Sequence, residues 1–282
     1  VGRLVRLEPG DASRALAFCA RHPERAVVVA GWIADGGLDR DPKCARAWLF
    51  GAVDPADTIQ GLVWLSEAGI LIPVLPDGAG IEAVVELGRR HARVIRVIVG
   101  ERWLVEHVWR RWMPMGFESR MVRDQQAYAV TPERFRPVDE PLALHPATLA
   151  DLGPLVESSA AMAREEARDD PQGRNPGMFR ARIRERILRQ RDLVHYEGPE
   201  LAFKANIAAI SPIGGQVEGI YTHPALRHRG LGLRGTAAVT QWILDRAPRA
   251  SLLVNDDNRV ARRLYRRLGY DEVYESRTTF VA

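Results

Sequence analysis

Hydrophobic positions recur along this chain with two periods, and the order in which those periods alternate is itself repeated. In the second half, Leu142–His145 predicts a short strand. Ala147–Ala167 carries Leu149, Leu152, Leu155 and Val156 at helical spacing, with Thr148 or Asp151 suited to cap it. Asp169–Gly177, rich in Asp, Pro and Gly, reads as a loop, and Met178–Arg191 as a second helix with Phe179, Ile183 and Ile187 on one face. Strands follow at Leu193–Glu197, Leu201–Ile210 and Gln216–Thr222. A glycine-rich loop opens a helix through Asp245; Ser251–Val254 is a strand, Arg259–Leu268 a helix and Val273–Val281 a last strand.

The first half repeats this order. Leu4–Leu7 predicts a strand, Asp11–Ala20 and Pro23–Ala34 two helices, and Ala47–Ala52, Gln60–Ser66 and Gly69–Leu75 three strands. Gly80–His91 is helical, Val94–Val99 a strand, Arg102–Trp112 a helix and Met121–Val130 a closing strand. A repeat of about half the chain indicates two copies of one fold. The segment Thr131–Pro141, with Pro132, Pro137 and Pro141, is the natural connection. The expected division is 1–133, a linker at 134–141, and 142–282, in a chain whose 282 residues suit two domains.

Composition narrows the function. Hydrophobic residues are 46% and charged residues 27%, the balance of a soluble globular protein. No apolar run reaches the roughly 20 residues of a membrane span. No signal-peptide pattern leads the chain, so a cytoplasmic location is expected. Cys19 and Cys44 have no metal-ligand partners at useful spacing, and the 7 histidines form no metal motif. No metal is therefore expected. The net charge of +4 comes almost wholly from arginine, since Lys43 and Lys204 are the only lysines. The arginines are dispersed among acids, with no nucleic-acid reading module beside them; an anionic small ligand is the better match.

The strongest local signal is His223-Pro224-Ala225-Leu226-Arg227-His228-Arg229-Gly230-Leu231-Gly232, between a strand and an amphipathic helix. Pro224 helps end the strand. Gly230 and Gly232 permit a tight loop whose amides, with the free N–H groups at the helix start, suit a phosphate or pyrophosphate. Arg227 and Arg229 add charge. No Gly-Lys-Ser/Thr follows, and the dinucleotide G-x-G-x-x-G spacing is missing.

Arg227-x-x-Gly230-x-Gly232 resembles the R/Q-x-x-G-x-G/A motif of the GNAT superfamily of N-acetyltransferases. Gly219-Ile220-Tyr221-Thr222-His223-Pro224 resembles that family's fourth strand. The run from Leu252 through Asn258, Ala261, Leu264-Tyr265 and Leu268-Gly269-Tyr270 resembles its fifth strand and fourth helix. The likeness spans about 140 residues, and the whole chain resembles the tandem-domain GNAT proteins of high-GC Gram-positive bacteria, the actinobacterial type. It implies an α/β (α+β) fold of two GNAT-like domains, each a mixed, mainly antiparallel sheet flanked by helices.

It also implies transfer of an acetyl or other short acyl group from acetyl-CoA or another acyl-CoA to an amine. The main chain of Ile220, Tyr221 and Thr222 would meet the pantetheine and thioester. The loop Arg227, His228, Arg229, Gly230, Leu231 and Gly232 would hold the pyrophosphate. Asn258, with Asn255 in support, would meet the pantetheine arm, although asparagine is also a good helix cap. Tyr265 would protonate the departing thiolate, a sensible pairing because phenol and thiol titrate in neighbouring ranges. Glu218 shares strand parity with Ile220 and Thr222 and is the candidate general base, with Tyr221, His223 or a water chain as rivals.

The first half has no such loop. Pro76-Asp77-Gly78-Ala79-Gly80 allows a turn, but Asp77 would repel phosphate. It reads as a degenerate copy that shapes the acceptor pocket or the interface. Two other functions fit the same residues: a non-catalytic CoA-binding regulatory module, and aminoacyl transfer of the tandem GNAT-like type. The acceptor is a small molecule or peptide amine, its pocket placed by the resemblance at Ala147–Arg191, and the chain a monomer or homodimer.

Overall fold

A computed structural model describes residues 3–36, 38, 47–167 and 170–282. Cys44, Lys43, Arg168 and Asp169 lie outside them. The first half runs β1 (Arg3–Leu7), α1 (Ala12–Arg21), α2 (Pro23–Ala34), β2 (Ala47–Val53), β3 (Ile59–Ser66), β4 (Ile70–Val74), α3 (Ile81–His91), β5 (Val97–Glu101), α4 (Arg102–Trp112) and β6 (Ser119–Val130). The second runs β7 (His145–Pro146), α5 (Leu152–Ala167), α6 (Pro171–Arg174), α7 (Pro176–Leu188), β8 (Asp192–Glu197), β9 (Glu200–Ser211), β10 (Gly214–Thr222), α8 (Leu231–Leu244), β11 (Ala250–Asn255), α9 (Arg259–Arg267) and β12 (Asp271–Val281). The periodicity located these elements to within a few residues. One exception is the expected loop before α7, where Asp170 and Pro171 start the short α6. The other is the expected strand Leu142–His145, which shrinks to the two residues of β7.

Among the described residues twelve strands join one sheet in the order β1-β2-β3-β4-β5-β12-β6-β11-β10-β9-β8-β7. Only β4–β5 and β10–β11 run parallel among the described pairings. The two halves exchange their last strands. β6 lies between β12 and β11, both from the second half, and β12 lies between β5 and β6, both from the first. Strand pairing therefore crosses the expected division at 134–141. That segment is packed rather than free: Phe135 and Val138 lie against the second-half core, and Arg136 N–H donates to the Leu268 carbonyl at 2.9 Å.

Four apolar clusters cover the two faces. One joins α8 and α9 to β9, β10 and β11, and Tyr128 and Val130 of β6 complete it. A second packs α3 and α4 on the first half of the sheet, a third α1 and α2, and a fourth α5 and α7 on β8 and β9. Helix α2 also crosses to the second half. Gly31 lies so close to β9 that a Cβ there would sit 2.6 Å from the Ala209 Cβ. Trp32 donates its indole N–H to the Ala208 carbonyl at 3.3 Å, and Arg191 binds both oxygens of Asp35 at 2.7 Å. Small residues at the crossing, Gly31 and Ala209, let the two backbones approach.

Candidate active site

The site grows from one irregularity in β10. Opposite β9 the register runs Val217–Ile207, Glu218–Asn206, then Tyr221–Lys204, so Gly219 and Ile220 together oppose Ala205. This is a β-bulge, and Gly219 adopts φ +62°, which glycine tolerates at little cost. On its other side β10 pairs with β11 only at Gly215–Ala250 and Gln216–Ser251. Beyond that point no pairing joins the two strands, and the bulge stands at the edge of the opening.

The chain then turns into α8. Arg227 is extended, His228 has φ +64°, and Gly230, the residue before the helix, has φ +79°. Left-handed residues at this spacing turn successive amides toward one concavity, and the N-terminal N–H groups of α8 add to it. A Cβ built on Gly230 would meet nothing within 4 Å, so the space above the loop is open. The main-chain donors thus suit a pyrophosphate. The arginine side chains do not reach into that space here. Arg227 pairs with Glu165 at 2.8 Å, donates to the Thr222 carbonyl at 3.1 Å and lies over the Tyr221 ring. Arg229 pairs with Glu197 at 2.7 Å.

A continuous cleft of about 1630 Å³ runs from this loop through the β10–β11 opening to the β4–β5 opening of the first half. Ile220, Tyr221, Thr222, Arg227, His228, Gly230, Leu231, Gly232, Asn255, Asn258, Glu218 and Tyr265 all line it, so the expected residues converge; Arg229 and His223 do not. Glu218 accepts from the Asn206 amide at 2.9 Å. Asn258 caps α9, its side chain accepting from the Ala261 N–H at 3.1 Å. Tyr221 is committed to Glu165, donating its hydroxyl at 3.1 Å. Tyr265 is buried between the rings of Tyr128 and Tyr270, and burial pushes its phenol upward. It therefore stays protonated at neutral pH, as a proton donor must.

Sequence reasoning missed two polar residues beside the bulge, Lys204 and Asn206, and read a third, Glu166, as part of a charged run at a solvated helix end that could also recognise a polar amine. Lys204 of β9 is buried, donates its ammonium to the Gly219 carbonyl at 3.0 Å, and titrates at about 8 because burial penalises its charge. Its one signal was being a rare lysine amid the apolar and small residues of β9. Asn206, two positions on, shares its face. Glu166 of α5 has its carboxyl raised, first by desolvation, with Arg123 and Lys204 opposing; its side chain still reaches water, which screens the effect. The exchanged strands supply Arg123, Gln125, Tyr274, Ser276 and Thr278 to the same cleft. Ser159 of α5 also lines it, with a buried hydroxyl that has no partner among the described residues.

Among the described residues no group of His, Cys, Asp or Glu is arranged to hold a metal, and no helix is long and apolar enough to cross a membrane. Cys19 is buried in α1, and burial pushes its thiol up to about 12, which removes it as a nucleophile.

The sheet and its helices have the fold of solved structures described as GNAT acetyltransferases. Residues 203–281 match the family of FR47-like proteins, and residues 47–152 match a domain of unknown function, DUF4081. No curated protein matches the chain. Among solved structures, a Drosophila protein superposes with a TM-score of 0.70 at 14% identity, covering 100% of this chain and 99% of its own. A tandem GNAT protein from the clavulanic acid biosynthesis pathway gives 0.57 at 15% identity, covering 99% and 98%. A GCN5-related N-acetyltransferase from Sphaerobacter thermophilus gives 0.56 at 18% identity, covering 98% and 94%.

Proposed function

We propose that the chain transfers an acetyl or other short acyl group from acyl-CoA to an amine, at one site built on its second half. The observation that carries this reading is the β10 bulge standing at the β10–β11 opening, directly before the glycine loop of α8. Bound acyl-CoA would supply the activated thioester. The amides of the Arg227–Gly232 loop hold the pyrophosphate, and Arg227 and Arg229 act mainly by shaping the loop through Glu165 and Glu197. The main chain at Ile220–Thr222 donates to the thioester oxygen. Glu218 takes the proton of the attacking amine, and Tyr265 gives a proton to the thiolate as it leaves. The first half forms the far wall of the acceptor pocket, which the exchanged strands and Ser159 support.

The first-half loop strengthens the asymmetry. Gly78 and Gly80 adopt φ +72° and +88° before α3, so the backbone form is repeated. No arginine accompanies it, and Asp77 places a carboxylate there. Calorimetry with acetyl-CoA tests the reading. Wild-type protein is expected to bind one equivalent. Gly230→Val, which forces a β-branched residue to φ +79°, costs about 1–2 kcal/mol and weakens binding about tenfold. Folded wild-type protein that binds no acetyl-CoA would sink the proposal.

A further inference from the structure

A bulge beside an opening has lost the strand pairing that elsewhere fixes a peptide plane, so another contact must hold it. In β10 that contact comes from β9. Lys204 is 2% exposed and shares a face of the sheet with Tyr221, its partner in register. Its ammonium donates to the carbonyl of Gly219 at 3.0 Å. A Cβ on Gly219 would lie 2.2 Å from the Asn206 Oδ1, so Asn206 leaves room only for glycine at this point of the bulge.

The carbonyl of Gly219 and the N–H of Ile220 belong to one trans peptide, and in such a unit they point in opposite directions. Pulling the carbonyl toward β9 therefore aims the Ile220 N–H away from it. A cation on the oxygen also draws charge through the amide and strengthens its N–H as a donor. The groups facing Lys204 leave its ammonium to this task. Asp192 of β8 is engaged by Arg186 of α7 at 3.0 and 3.1 Å, and Glu218 of β10 is held by Asn206. Glu166 of α5 faces it across the cleft.

We propose that Lys204 is a positioning residue for acyl transfer: it fixes and polarises the Gly219–Ile220 peptide so that the Ile220 N–H donates strongly to the thioester oxygen. The inference rests on the acyl-CoA reading. The test separates the two by measuring binding and polarisation independently, with neither requiring the acceptor. Wild-type protein and Lys204→Met are titrated calorimetrically with CoA and acetyl-CoA. Infrared difference spectra are then recorded with acetyl-CoA carrying a ¹³C thioester carbonyl.

The wild-type complex is expected to move the thioester band to lower wavenumber. Lys204→Met should bind CoA within about twofold of wild type while its band returns toward the free position. In wild-type protein the displacement should fade as pH rises through about 8, with Glu166, Arg186, Asp192 and Glu218 as the charged neighbours of the ammonium. An undisplaced wild-type band with acetyl-CoA bound overturns the role of Lys204 together with the main-chain bond to the thioester oxygen, and leaves acyl-CoA binding standing; equal displacement in the variant overturns the role of Lys204 alone. Should the variant fail to fold, the pH series on wild type decides: a band constant from pH 6.5 to 9.5, a range of about 1.5 units either side of that value, overturns the proposal. No binding of acetyl-CoA by wild type overturns both readings.

Discussion

Cutting the chain at its connection should leave two fragments that fold only together. In residues 1–133, β6 has no sheet neighbour, because both strands that pair with it, β11 and β12, lie in the other fragment. In residues 134–282, β12 is equally alone, because β5 and β6 are both missing. The second fragment also loses Tyr128 and Val130, which are 0% and 2% exposed within its main core. At about 1.5–3 kcal/mol for each fully buried side chain, that pair is worth about 3–6 kcal/mol. The Tyr128 hydroxyl bond to Glu272 at 2.7 Å goes with them. Net stability of a domain is about 5–15 kcal/mol, so the loss consumes much of it before the missing ladders are considered. Thermal melts followed by circular dichroism, with size-exclusion chromatography, provide the assay. Each fragment alone should lack a cooperative transition, and an equimolar mixture should regain one and elute as a heterodimer. A cooperative melt of 134–282 alone, near that of the intact chain, would refute the argument.

Three further outcomes follow from particular contacts. Gly235→Ala should destabilise the protein by about 1–3 kcal/mol in urea unfolding, since its Cβ would lie 2.5 Å from the Phe203 ring; an unchanged midpoint would show that α8 relaxes freely. Tyr265→Phe should slow thiol release from acetyl-CoA in the presence of an accepted amine about a hundredfold while leaving acetyl-CoA affinity unchanged; an unaffected rate would remove its role as proton donor. Lys204 titrates at about 8 in the folded protein against an ordinary value of 10.5. Between those pH values the unfolded chain binds more protons, so wild-type stability should rise relative to Lys204→Met, by up to about 3 kcal/mol. Urea unfolding of both proteins at pH 7 and pH 10 measures this, and a constant difference would contradict it.

Most elements were legible because each carries its own period: helical spacing in Phe179, Ile183 and Ile187 of α7, or the apolar runs of β3 and β4. Strand exchange was not legible. Alternation along Ser119–Val130 says which side chains share a face, but nothing in it names the neighbouring strand. The loop before α8 was readable because Gly230 and Gly232 lie two positions apart in sequence and the backbone demands of such a turn are local. The partners of its arginines were not, since Glu165 and Glu197 lie 62 and 32 positions away. Lys204 escaped for a related reason. Its acceptor is a carbonyl in a bulge, and the bulge exists only once β9 and β10 are in register.

The two halves therefore repeat a backbone, while the proposed chemistry rests on one of them. Both have a parallel pair that stops after two paired positions, and both place a left-handed glycine directly before the following helix. In the first half β4 pairs with β3 without a register shift, Pro73 occupies its fourth position, and Ile70, Ile72, Val97 and Val99 line the cleft there. In the second half the corresponding region holds the bulge, a buried ammonium on its carbonyl, and Glu218, Glu166 and Tyr265 around the opening. The apolar β4 and β5 side chains at one end, beside the Arg25–Glu101 ion pair, and the titratable groups at the other suit the proposed arrangement, in which an acceptor's body rests on the first half while its amine meets the second. The exchanged strands form the floor between them. A substitution there, at Gln125 or Thr278, which share a hydrogen bond of 2.8 Å, should change the affinity for acceptor without changing that for acetyl-CoA.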